Sequence, residues 1–155
     1  LIDRTDTAGT LHDKLAKVGA KLLLETVDRI ERETAVHAPQ NHQLATYTKR
    51  LRKEDGAIDW NMPAEKLHDF VRAMNPWPVA HTGGGKLRIW TTSVPTERLE
   101  NVEPGTVLRA DDGGLLVATL DGSVKIERVQ VAGSKPMSAT EFLRGHRFRV
   151  GEKLQ

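Results

Sequence analysis

The side chains of this 155-residue chain that could do chemistry are six histidines, a glycine triplet, one serine beside a helix start, and two runs of cations. The histidines stand at 12, 37, 42, 68, 81 and 146, and no two have the H-x-x-x-H spacing that sets a pair of imidazoles on one helix face. His37 and His42 are separated by four residues in a stretch without helical periodicity, so no metal site is expected. Gly83-Gly84-Gly85 lacks the lysine and hydroxyl of a phosphate-binding loop, and a hairpin connection accounts for it. Ser138 opens Ser138-Ala139-Thr140-Glu141, a helix capping box, which gives its hydroxyl a structural role. With no cysteine, thiolate metal sites, disulfides and a cysteine nucleophile are excluded. Nothing in the residue pattern assembles an active site.

The cations are more informative. Lys49-Arg50-Leu51-Arg52-Lys53 sets four positive charges in five positions, and Arg144, Arg147, Arg149 and Lys153 fall within ten residues opposed only by Glu152. Residues 1–44 carry 6 basic and 7 acidic side chains, whereas residues 45–155 carry 17 and 14. Clusters of this kind either form a solvated face or neutralise phosphates with release of counterions. The seven aromatic residues are too scattered to make a stacking platform for loose bases, so phosphate contacts with a structured duplex fit better.

Such residues need elements to position them. Leu11, Leu15, Val18, Leu22, Leu23, Val27 and Ile30 recur at helical spacing and predict a helix over about 10–32, opened by a Thr10–Asp13 box. Its broad apolar stripe needs a partner surface, which is expected to belong to missing upstream sequence. Residues 34–56 read as a linker. Asn61 as cap, Pro63 in the first turn, and Leu67, Phe70, Val71 and Met74 on one face predict a second helix. It ends at Asn75-Pro76-Trp77-Pro78, because proline disfavours helical backbone at the residue before it. Strands are predicted at 79–82, 86–92, 106–110, 114–120 and 123–131, with a short one at 148–150. The fold class is α+β: an N-terminal helix and linker, then a small antiparallel OB-like β-barrel, closed or partly closed, with a packed helix. Trp60, Trp77 and Trp90 are expected to be largely buried. No apolar run approaches the roughly 18–20 residues that span a bilayer.

Five strings, in order, carry a resemblance. Asp6-Thr7-Ala8-Gly9-Thr10-Leu11-His12-Asp13-Lys14-Leu15-Ala16 resembles the end of the catalytic domain of methionyl-tRNA formyltransferases. Thr46-Tyr47, Leu51, Lys53-Glu54 and Ile58-Asp59-Trp60 resemble that family's linker. Asn75-Pro76-Trp77-Pro78, Pro104-Gly105-Thr106-Val107-Leu108 and Lys135-Pro136-Met137-Ser138-Ala139 follow in the family's order. The resemblance covers nearly the whole chain, as the C-terminal half of a member. It implies a cytoplasmic enzyme of translation initiation that moves a formyl group from 10-formyltetrahydrofolate to the methionyl amino group of initiator tRNA.

It further implies that residues 1–33 are the tail of the catalytic domain, 34–56 a linker, and 57–155 an OB-like domain that helps hold the acceptor arm. The family's catalytic residues and folate loop match positions upstream of Leu1, so no catalytic or cofactor-binding residue is expected here. The fragment alone should be inactive and bind no cofactor. Arg50 and Lys53 match basic linker positions, and Lys135 matches the second lysine of a Gly-Lys-Lys-x-Met-Ser-like loop. Ser134 replaces the first lysine of that loop, and Pro136 is a second departure. With Arg144, Arg147 and Arg149 these make the expected nucleic-acid-binding set. The alternatives are the C-terminal portion of a sugar-nucleotide formyltransferase, a stand-alone RNA-binding module, or a structural appendage.

Overall fold

The computed structural model describes residues 2–96 and 102–154. The chain divides into two compact units, Leu1–Leu51 and Arg52–Gln155.

The first unit is dominated by α1, Ala8–Glu31. Its cap is Thr7, three residues ahead of the expected Thr10 box. Thr10 N donates to Thr7 Oγ1 at 3.2 Å while Thr7 N donates to Thr10 Oγ1 at 2.9 Å. The earlier start follows from Asp6. Its carboxylate accepts from Thr10 Oγ1 at 2.9 Å, and from Asp3 N and Lys14 Nζ at 2.8 Å each. The Lys14 ammonium, with the Asp3 amide, holds the Asp6 carboxyl down to about 2. None of the residues of α1 is buried, and Leu15, Val18, Leu22, Leu23 and Ile30 are all more than half exposed. A short 3-10 turn, His42–Leu44, is capped by the side chain of Asn41.

The second unit is built on α2 (Ala64–Ala73), α3 (Ala139–Gly145) and six strands. These are β1 (Ala80–Thr82), β2 (Leu87–Ser93), β3 (Val107–Asp111), β4 (Gly114–Ala118), β5 (Ser123–Val131) and β6 (Met137–Ser138). All pairings are antiparallel in the order β1-β2-β5-β4-β3. The second edge of β5 is shared: Ser123–Ile126 pair with β4, and Arg128–Val129 pair with β6. Strand β6 has two residues, too few to leave a periodic signal, and was not foreseen.

The sheet is not closed into a barrel. The edge strands β1 and β3 do not pair with each other; the C-terminal segment lies between them. Leu154 N donates to Gly105 O at 2.8 Å, just ahead of β3, and Leu154 O accepts from Thr82 Oγ1 of β1 at 3.1 Å. Val107 N and O are likewise taken by Glu152 O and Gly151 N. This is where the expected strand 148–150 went: pairing falls at 151–154, while Phe148 turns into the core.

The cap of α2 lies two residues later than its pattern, at Pro63, and Asn61 does not cap it. Pro63 occupies the cap position and has no side-chain donor or acceptor, so Asp121 Oδ1, from the β4–β5 turn, accepts from Ala64 N at 2.8 Å. The helix packs on β2 and β5, burying Ala64, Leu67 and Val71. Helix α3 has the expected Ser138–Glu141 box and sinks Phe142 into the core among Leu115, Val117, Ile126 and Val129. Trp77 is 52% exposed, against expectation. The peptide bonds before Pro76 and Pro78 are both cis, and it is Pro78 and Val79 that turn inward. Trp60 and Trp90 are mostly covered, as expected, Trp60 packing against the core.

Candidate nucleic-acid interface

Strand register places a row of polar side chains across the outer face of the sheet. His81 on β1 is the Cα partner of Arg88 on β2, and Arg88 is the partner of Gln130 on β5. Direct cross-strand partners lie side by side on one face. The β1–β2 hairpin that sets this register turns through Gly83, Gly84 and Gly85, whose φ angles are 60°, 64° and 89°. Three consecutive left-handed residues require glycine. At the bulge in β2, Trp90 Nε1 donates to Gln130 Oε1 at 3.1 Å, and Gln130 Nε2 donates onward to Ser134 O at 2.8 Å. Gln130 thereby pins the loop that carries Lys135, which is exposed.

A second contact brings a cation from the start of the unit to the same row. The 3-10 turn Lys53–Gly56 abuts His81. A Cβ on Gly56 would lie 2.6 Å from Val79 O and 3.0 Å from His81 Nδ1, so only glycine permits this approach. Ile58 N donates to His81 O at 2.9 Å and holds the segment in place. The result is an open cleft of about 500 Å³ lined by Lys53, Glu54, Ala57, Pro78, His81, Gly84, Gly85 and Arg88.

Of the expected site residues, the structure thus brings Lys53 into a cleft with Arg88 and His81. Neither was singled out as a binding residue, although exposed Lys86 and Arg88, alternating with buried Leu87 and Ile89, were a readable signal. Arg50 belongs to the first unit and is exposed. Arg144 lies in the last turn of α3, with Arg147 and Arg149 exposed beyond it. The Glu141 carboxyl is held below the usual range by hydrogen bonds from Ser138, with smaller help from Arg144 and Arg128. Lys153 is already engaged, with Glu103 at 2.9 Å and Pro104 O at 2.8 Å. Among the described residues, no group of three or more His, Asp or Glu side chains is gathered for a metal, and no helix is long and apolar enough to cross a membrane.

Residues 50–147 match the family model described as formyl transferase, C-terminal domain, and the chain belongs to that family. It is 45% identical over 155 residues to the methionyl-tRNA formyltransferase of Desulforamulus reducens, covering 99% of this chain and 49% of that protein. The enzyme of the same name from Acetivibrio thermocellus is 45% identical over 150 residues, covering 96% and 48%. The chain therefore spans about half the length of the curated relatives it matches. The crystal structure of a HypX variant from Aquifex aeolicus superposes on 92% of this chain and 27% of its own, with a TM-score of 0.66 at 21% identity, a likeness of fold.

Proposed function

We propose that the chain is the tRNA-holding portion of an enzyme that transfers a formyl group from 10-formyltetrahydrofolate to the methionyl amino group of initiator tRNA. The observation that carries the reading is 45% identity along virtually the full chain to proteins named methionyl-tRNA formyltransferase. In this reading residues 1–33 complete a catalytic domain and 34–56 connect it to residues 57–155. The coiled sheet serves as an OB-like module, and the protein works in the cytoplasm.

The acceptor arm is held by phosphate contacts from Arg50, Lys53, Lys135, Arg144, Arg147 and Arg149, joined by Arg88. Cations on phosphates read shape and charge rather than base sequence, so the chain alone discriminates weakly among tRNAs. Electrophoretic mobility shift with initiator tRNA tests this: affinity should fall steeply between about 50 and 200 mM salt. Reversing Arg50 and Lys53 to Glu should flatten the salt slope and weaken initiator and elongator tRNAs alike. An unchanged slope would remove those residues from the interface. The enzymatic part is tested by grafting: the chain replaces the matching half of the Desulforamulus enzyme, and formylation of Met-tRNA should survive.

A further inference from the structure

Plain phosphate binding leaves one residue of the Lys53–Arg88 cleft unexplained. Glu54 lines the cleft with the two cations, yet among the described residues neither Lys53 nor Arg88 has a carboxylate oxygen within 4.0 Å. Glu54 thus makes no contact ion pair with either cation and its carboxylate is open to a ligand. An ionised carboxylate only accepts hydrogen bonds, and beside a phosphate it repels unless the ligand brings a donor to it. Beside Pro78 and His81, the lining offers a short side chain at Ala57 and bare backbone at Gly84 and Gly85, where a polymer backbone can approach closely.

We propose that this cleft is a ribose-phosphate seat that distinguishes RNA from DNA. Lys53 and Arg88 take a backbone phosphate, and the Glu54 carboxylate accepts the hydrogen bond of the neighbouring 2′-hydroxyl. The inference rests on the RNA-binding reading above and adds to it a sugar-reading residue. The 2′-hydroxyl is the group by which a protein tells the two backbones apart, and it is both donor and acceptor. A carboxylate is selective for its donor function.

The test compares an RNA duplex of acceptor-arm length with the same duplex carrying 2′-fluoro sugars, which keeps the A-form but cannot donate. Both are titrated against the whole chain at one salt concentration. The unaltered chain should prefer the hydroxyl form by about tenfold, the scale of a hydrogen bond to a charged group. Glu54→Ala should bring the two affinities together, largely by raising that for the fluoro duplex. Glu54→Gln, which keeps length and an acceptor oxygen, should retain part of the preference. Lys53→Gln with Arg88→Gln should weaken both duplexes equally. All three variants alter exposed side chains, and a thermal melt confirms that each is folded. Equal affinities in the unaltered chain, or a preference that survives Glu54→Ala, overturn the sugar reading while leaving phosphate binding intact. Absence of binding to either duplex overturns both readings together.

Discussion

Helices α1 and α2 are both amphipathic, and they live by different means. Helix α1 has 24 residues, a reciprocal threonine box and a lysine–aspartate clamp across its first turns, and buries none of its residues. Helix α2 has 10 residues and a proline where its cap should be, and buries three. Isolated helices below roughly 12–15 residues are marginal in water, so α2 depends on its packing and on the Asp121 contact, whereas α1 is longer and is held at its start by local contacts. Periodicity announces that a face wants covering; it does not say that anything covers it.

The largest expected effect separates the two directly. Leu67→Ala, at a residue 1% exposed on α2, should cost about 2–5 kcal/mol of the second unit's stability. Leu22→Ala, at a residue 59% exposed on α1, should change stability by no more than about 0.5 kcal/mol. All three tryptophans, at 60, 77 and 90, fall in the second unit, so denaturant melts followed by fluorescence read α2's context while helical circular dichroism is weighted toward α1. A comparable loss at Leu22 would mean that α1's stripe is covered in solution, and the contrast would collapse.

A smaller effect sharpens what stands in for the missing cap on α2. Asp121→Ala removes the only side-chain acceptor seen for Ala64 N among the described residues, and should cost about 0.5–2 kcal/mol, the usual value of an N-cap. Asp121→Asn, which keeps an acceptor oxygen, should recover most of it. If alanine and asparagine behave alike in the same melts, the turn contact is incidental.

The smallest effect belongs to α1. The Asp6 carboxyl is lowered from an ordinary 3.8 to about 2, so the folded helix start favours the ionised form. A depressed carboxyl stabilises above its unfolded value, here near 3.8, and the contribution disappears as pH falls through about 2. Helical circular dichroism should therefore decline over that interval in the parent chain and change less in Asp6→Asn. A parent and variant with superimposable acid titrations would strip Asp6 of the anchoring role.

What the sequence disclosed was what neighbours along the chain decide. The Ser138 box, the bounds of β5 and the glycine hairpin are short-range affairs, and they read correctly. The cap of α2 was misplaced because its acceptor lies 57 residues away. The start of α1 was misplaced because Asp6, reaching both Thr10 and Lys14, outweighs a box with a short acid at its third position. Trp77 misled because the inward turn of Pro78 and Val79 left the ring outside. At the candidate interface Lys53 was visible as a charge. Its company was not, because Arg88, His81 and Gln130 become neighbours only through strand register and the close approach allowed at Gly56.

Leu154 follows every strand and helix among the described residues, and yet it is the residue that joins the surroundings of β1 and β3. Without residues 151–154 the seam between β1 and β3 lacks the backbone that fills it. Unpaired strand edges are what foreign chains dock on. Shortening the chain by residues 151–154 therefore bares both edges at once, β1 at Thr82 and β3 at Val107.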